Sequence, residues 1–375
     1  MSTSTDLPKV SRAIVVAEAT DSSPKRERYP YDAVLVESAI PELKPGQVLL
    51  KINAAGFNHK DLCTHRFSDT VWIRKGLYPG IVVGSPYGGD GAGVVIASAT
   101  PDDPLLNKRV FLSAGVGWKS HPDVPENPLD AFGGTKMGGT FIEYVAVDRD
   151  LLIPSPENLD DVHVAAWPLG GVTAWRAAII NAKVKPGQNI LITGIGGGVA
   201  LLAMQFCLAT GANVYVTSGK QEKIDKAIEL GAKGGFNYKD DKWPELLGKF
   251  LQKDEKGAEL DAVIDSGGGP ILSQVRPYLK YSGRFVCYGM TAYQEISITM
   301  NEVLKNFKFL GSTLGSQKDL GDATDFINKH RIVPIVSHVL EGLESAEEGF
   351  TLLDSRDQFG KVIIRLGESN PNAAA

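Results

Sequence analysis

From about Asn189 onward, short apolar runs alternate with segments whose apolar residues recur at helical spacing. The pattern predicts strands at Asn189–Thr193, Asn213–Thr217, Gly235–Tyr238, Asp261–Asp265, Arg284–Tyr288 and Lys308–Thr313. Between them it predicts helices at Gly198–Thr210, Gln221–Gly231, Trp243–Lys253, Pro270–Tyr281 and Asn301–Asn306. Alternation of this kind implies a parallel sheet covered on both faces. The first of these helices is apolar on nearly every side from Val199 through Leu208, so it should be buried against the sheet under a second layer. Pro277 lies inside the fourth helical segment and should kink or end it.

Residues 12–160 have a different texture. Glycines and prolines punctuate strand-like runs at Ala13–Glu18, Ala33–Glu37, Gln47–Ala54, Ala92–Ala97, Arg109–Ser113 and Thr140–Val147, which predicts an irregular, mostly β domain. After the α/β unit come a helix at Asp319–His330, a strand at Ile335–Leu340, a helix at Ser345–Asp354 and a strand at Lys361–Leu366. These are too few for a domain. They should rejoin the N-terminal β domain and leave the α/β unit as an insertion. The polar ends, Met1–Pro8 and Glu368–Ala375, should be loose.

Composition narrows the class. With 375 residues, 43% hydrophobic and 22% charged, the chain can bury two ordinary cores without a staple. A formal net charge of −5 argues against a nucleic-acid partner. Three scattered cysteines, Cys63, Cys207 and Cys287, make no disulfide framework and suggest a reducing compartment. No apolar leader or membrane-length run is present, so a cytoplasmic protein that does not enter membranes is expected. Cys207 and Cys287 fall on a buried helix and a central strand, where they should act as small core residues.

The strand at Asn189 runs directly into Gly194-Ile195-Gly196-Gly197-Gly198-Val199-Ala200. Glycines there let the backbone turn and approach a pyrophosphate, and the following helix points its N-terminal N–H groups at it. Gly194, Gly197, Gly198 and Val199 are the expected cofactor-binding residues of this turn. An acidic residue ending the second strand would pair with the ribose 2′-OH of NAD. The chain instead has Thr217-Ser218-Gly219-Lys220, with Lys223 one turn on. The missing carboxylate and the two cations favour NADPH; the alternative is that both lysines are solvated charges of a helix start. Ser266 and Gly289, just past strand C-termini, should line the cofactor crevice.

Several ordered segments resemble the zinc-independent, quinone oxidoreductase/enoyl reductase-like branch of the medium-chain dehydrogenases/reductases, the zinc-type alcohol dehydrogenase-like proteins. They are the glycine loop, Gly56-Phe57-Asn58-His59-Lys60-Asp61-Leu62, Gly89-Asp90-Gly91-Ala92-Gly93-Val94-Val95, Gly170-Gly171-Val172-Thr173-Ala174-Trp175, Gly187-Gln188-Asn189 and Gly360-Lys361-Val362-Ile363. The resemblance covers almost the whole chain. It implies a GroES-like catalytic domain over residues 10–163 and 317–375, interrupted by a Rossmann NADP-binding domain over 164–316, with the active site in the cleft between them. It places Asn58 beside the nicotinamide and Thr173 at the nicotinamide amide. It puts Ser218, Lys223 and Tyr238 around the adenosine 2′-phosphate, with Lys220 adjoining. Two departures stand out: Ala200 replaces the third loop glycine, and Cys63–Val71 looks like an insertion before Trp72.

Zinc relatives need three protein ligands and an open position. By the same resemblance they carry Cys at Asn58, His-Glu at Gly89-Asp90 and Cys at Leu169, so only Asp90 could touch a metal and no metal site is expected. His59, Cys63 and His65 do not form a known ligand set. Catalysis should then rest on positioning a nicotinamide hydride against a quinone or an α,β-unsaturated carbonyl. Candidates to stabilise or protonate the product are Asn58, Tyr78, His59 or water; for Asp61 the alternative is a helix cap. The acceptor is a small molecule, and the apolar edge at Phe309 and Leu310 suggests a homodimer. The competing readings are a non-enzymatic NADPH-binding protein and an alcohol dehydrogenase-like enzyme with a displaced metal site.

Overall fold

The short β-branched or aromatic runs of the second half pair side by side, every neighbour parallel. Their order across the sheet is Gly234–Asn237, Asn213–Ser218, Asn189–Ile192, Leu260–Asp265, Leu279–Cys287 and Lys308–Gly311. The structure is a computed structural model and describes residues 8–20, 31–66, 80–254 and 256–367. Strand order runs outward in both directions from Asn189–Ile192, which is the doubly wound Rossmann arrangement with its switch point beside that strand. This unit comprises Gly170–Gly315.

Helix Gly198–Ala209 is buried as its all-round apolar face requires, with Leu201, Leu202, Met204, Phe206 and Cys207 nearly inaccessible. Trp175 closes over it, its ring edge-on to Phe206 at 5.6 Å between centroids. The expected helix Pro270–Tyr281 is shorter: it is helical over Ile271–Val275, then passes through a 3-10 turn at Arg276–Tyr278 that contains Pro277. Proline cannot donate the next helical bond, so the α-helix stops before it. Cys207 and Cys287 are core residues, and burial raises their thiols to about 12 and about 11.

The residues before Gly170 and after Gly315 form the other unit. Its seven-stranded sheet runs Val336–Glu341, Lys361–Arg365, Gln47–Gly56, Asp90–Ser98, Arg109–Leu112 and Leu152–Pro154, with Tyr144–Asp148 also on Gln47–Gly56. The C-terminal strand joins this sheet as expected, antiparallel to Gln47–Gly56 with Ile363 opposite Gly56. The strand expected at Thr140–Val147 begins only at Tyr144, because Thr140 and Phe141 turn inward to bond Gly88 and Tyr87. Phe57, Phe141, Tyr87 and Phe350 fill the core with edge-on ring contacts.

Adjacent strands approach so closely at Gly93, opposite Ile52, that a side chain there would overlap the Lys51 carbonyl and stand 3.1 Å from the Asn53 nitrogen. Gly93→Ala should therefore lower stability by about 3 kcal/mol, read as a reduced midpoint in urea unfolding.

Candidate active site

In the Rossmann unit the glycine loop leaves the end of strand Asn189–Ile192 with positive φ at Gly194 (68°) and Gly196 (118°). These are backbone states that side chains resist. Helix Gly198–Ala209 starts at Gly197 with no side-chain cap, so its first N–H groups remain available to an anion. Lys223 reaches across the loop: a Cβ on Gly196 would meet its Cδ at 2.7 Å and its Nζ at 3.1 Å. A cation and uncapped amides at one turn fit a diphosphate.

The end of the second strand gathers another group. Ser218 pairs with Asn237 across the sheet, and Tyr238 N–H donates to the Ser218 carbonyl at 3.1 Å. A Cβ on Gly219 would lie 2.7 Å from the Tyr238 hydroxyl and 3.0 Å from Lys239 Cε. Ser218, Tyr238 and Lys239 therefore meet over Gly219, and the Lys220 N–H lies 3.4 Å from Ser218 Oγ. Lys239 was not anticipated from the sequence; its signal was a cation following the strand that ends at Asn237.

Deeper along the crevice, Asp265 ends the fourth strand without solvent contact. It accepts hydrogen bonds from Thr193 Oγ1 at 2.6 Å and from the N–H groups of Gly267 and Gly268 at 3.0 and 2.9 Å. Burial pushes its carboxyl above the usual range, and these donors pull it back only in part. The anchored turn presents Ser266, with Gly289 beside its backbone carbonyl. Thr173 is buried within helix Pro168–Trp175.

Asn58 lies in the β-rich unit at a separate convergence. It caps helix His59–Arg66, where the Asp61 carboxylate returns to accept the Asn58 N–H at 2.8 Å and the Gly88 N–H at 3.1 Å. Asp61 is thus a cap, as one sequence expectation allowed. Its burial raises its pKa, opposed first by Lys60.

Three adjacent strands deliver side chains to this end of the sheet. Gly56 is opposite both Asp90 and Ile363, and the Phe57 N–H donates to the Val362 carbonyl at 3.0 Å. A side chain at Gly56 would collide with the Ala165 carbonyl and stand 3.2 Å from Asp90 Cβ, so glycine permits the close approach. Lys361 Nζ donates to Asn58 Oδ1 at 2.7 Å and to Asp90 Oδ2 at 2.9 Å. Asn58 Nδ2 donates to Asp90 Oδ2 at 2.9 Å, and the Leu169 N–H donates to Asp90 Oδ1 at 2.7 Å. Asp90 is fully buried and the Lys361 side chain is only 6% exposed. Both residues lie within the sequence motifs, but nothing local in the sequence pairs them. The available signal was a lysine heading an otherwise apolar strand, which demands a buried partner.

The other predicted residues divide plainly. Tyr78 and Trp72 lie outside the described residues, as does most of the Cys63–Val71 segment. Cys63 sits on helix His59–Arg66, where burial raises its thiol to about 11. Among the described residues, no group of three or more His, Cys, Asp or Glu is placed to hold a metal ion.

Comparison with known proteins agrees with both units. Residues 44–157 match the model described as alcohol dehydrogenase GroES-like domain, and residues 198–329 match that described as zinc-binding dehydrogenase. A zinc-type alcohol dehydrogenase-like protein, YogA, of Leptosphaeria maculans is 37% identical over 90% of this chain and 95% of its own length. The chain belongs to the medium-chain dehydrogenase/reductase family. A second zinc-type alcohol dehydrogenase-like protein, from Schizosaccharomyces pombe, is 31% identical over 88% of this chain and 94% of its own. Among solved structures, an NAD-dependent alcohol dehydrogenase superposes with a TM-score of 0.79 at 28% identity, covering 95% of this chain and all of the other. As a medium-chain dehydrogenase/reductase the protein is an oxidoreductase with a nicotinamide dinucleotide-binding Rossmann domain. Among the described residues no helix is long and apolar enough to cross a membrane.

The positions of the three zinc ligands in zinc-dependent members meet here, but with other chemistry. A Cβ on Gly89 would stand 3.2 Å from Leu169 Cδ1 and 3.6 Å from Asn58 Nδ2. A glycine, an isobutyl group and a carboxamide are not the thiolate, imidazole or carboxylate donors that zinc takes. Asp90→Ala would bury the Lys361 ammonium without its carboxylate. It should cost about 3–5 kcal/mol in urea unfolding.

Proposed function

We propose that this protein is a metal-independent, NADPH-dependent reductase of quinones or α,β-unsaturated carbonyl compounds. The observation that carries this reading is the donor set at Asn58. The three positions that the resemblance makes zinc ligands converge there as Asn58, Gly89 and Leu169, none of them a thiolate, imidazole or carboxylate. Without a Lewis acid, oxidation of a simple alcohol loses the metal's lowering of the hydroxyl pKa. An electron-poor carbon needs no such help. When bound, the reduced nicotinamide supplies a hydride to it. The chain's own residues hold the diphosphate at the glycine loop, orient the cofactor, and meet negative charge developing on the acceptor's oxygen.

The preference for NADPH is supported by the group over Gly219. Ser218, Lys220, Tyr238 and Lys239 offer hydroxyls and cations at the end of the second strand, and no carboxylate stands there. A homodimer is supported by the sheet edge. Phe309 on the terminal strand is 39% exposed, and Val303 and Leu304 beside it are more so.

Three measurements test this reading. Purified protein should consume NADPH with quinones and with enones or enals, and should not oxidise simple alcohols with or without added zinc. Alcohol oxidation restored by zinc would sink it, as would failure on every electron-poor acceptor. Lys220→Asp introduces the missing carboxylate, and should raise the Kd for NADPH by about tenfold or more while leaving NADH within a factor of about three. Phe309→Lys should shift the protein from dimer to monomer in sedimentation velocity.

A further inference from the structure

One carboxylate joins three loops at the C-terminal ends of the Rossmann strands. Asp265 Oδ1 accepts from Thr193 Oγ1 at 2.6 Å and from the Gly267 N–H at 3.0 Å, while Oδ2 accepts from the Gly268 N–H at 2.9 Å. Thr193 Oγ1 in turn accepts the Ser266 N–H at 3.1 Å. Thr193 immediately precedes the glycine loop, so its hydroxyl fixes the Ser266 turn to the root of that loop. The Asp265 carbonyl takes the Tyr288 N–H at 2.9 Å, and the Ser266 carbonyl takes the Thr291 N–H at 2.9 Å. The segment after the fifth strand is thereby tied to the same turn.

Packing leaves the turn little slack. Gly268 and Gly269 have φ of 71° and 64°. A Cβ on Gly268 would stand 2.6 Å from the Tyr293 carbonyl oxygen, and one on Gly269 would strike the Tyr293 ring. Ser266 Oγ lies 3.1 Å from where a Cβ on Gly194 would be, so this side chain is held against the first glycine of the loop.

Core packing alone does not call for a charge here. Asp265 is fully buried, and its partners are a hydroxyl and backbone N–H groups, none of them a cation. Burying a carboxylate without a cation is costly. What it offers is acceptance at both oxygens at once. An asparagine would have to set its NH2 donor against either the Gly267 or the Gly268 N–H. A dinucleotide crosses a doubly wound sheet at the switch point. With its adenosine at the end of the second strand, its nicotinamide half falls on the side of the fourth and fifth strands, where the Ser266 turn lies.

We propose that Asp265 is a positioning residue for the nicotinamide half of the cofactor. It acts through Thr193 and the Gly267 and Gly268 amides, holding the Ser266 turn against the glycine loop before the cofactor arrives. The proposal requires cofactor binding by the Rossmann unit and does not depend on which acceptor is reduced.

The test is equilibrium binding to the full chain as wild type, Asp265→Asn, Thr193→Val and Thr193→Ser. The ligands are NADPH and NADH with their adenosine halves, adenosine 2′,5′-bisphosphate and AMP. For the dinucleotide that wild type binds more tightly, Asp265→Asn should raise Kd about tenfold and Thr193→Val about fivefold, with Thr193→Ser within about twofold. The matching adenosine half should bind all four proteins within about twofold, because its contacts lie at the second strand. A merely structural role would not give that split, since general loosening of the unit weakens both ligands together. Dinucleotide Kd values within about twofold of wild type in folded Asp265→Asn and Thr193→Val would overturn the proposal. So would equal weakening of both ligands, or a wild type that binds neither dinucleotide. If Asp265→Asn does not fold, Thr193→Val against Thr193→Ser decides by the same criteria. The two readings fail separately: turnover of quinones or enones decides the reductase, and the paired Kd values decide Asp265.

Discussion

The β-rich unit is closed by a buried ion pair. Lys361 and Asp90 are 271 residues apart in sequence, yet sit 2.9 Å apart in the interior with an amide bridging them. Burying two charges is costly, and the cost is offset only when geometry is good and the remaining donors and acceptors are satisfied. Here the carboxylate receives three donors and the amide is tied at both ends. The pair also depends on the glycine at position 56, because a side chain there would force Asp90 away from the strand carrying Ile363. Backbone proximity, strand register and side-chain charge are thus one constraint, and the return of the C-terminal strand to the sheet supplies its last member.

The Rossmann unit solves a different problem, holding highly charged phosphates without burying a countercharge. Its solution is mostly backbone. Positive φ at Gly194 and Gly196 turns the chain under an uncapped helix start, and Lys223 lies over the turn. Asp265 shows how the crevice floor is fixed. Its buried carboxylate ties Thr193 on one strand to the Gly267 and Gly268 amides of the next turn, so the backbone around Ser266 is fixed by hydrogen bonds.

Legibility in the sequence follows the range of the interaction. The six parallel strands were readable because each is marked by a short β-branched or aromatic run between helical segments, and the glycine loop because its spacing is local. Pro277 signalled the end of its helix for the same reason. Thr140 and Phe141 misled, since their backbone N–H groups are given to the distant Gly88 and Tyr87 carbonyls instead of to the ladder that begins at Tyr144. The pairing of Lys361 with Asp90 and Asn58 was not readable. Each residue was visible, but no local period connects position 58, position 90 and position 361; only sheet register does. Lys239 escaped for a related reason, as its approach to Gly219 depends on the pairing of two parallel strands.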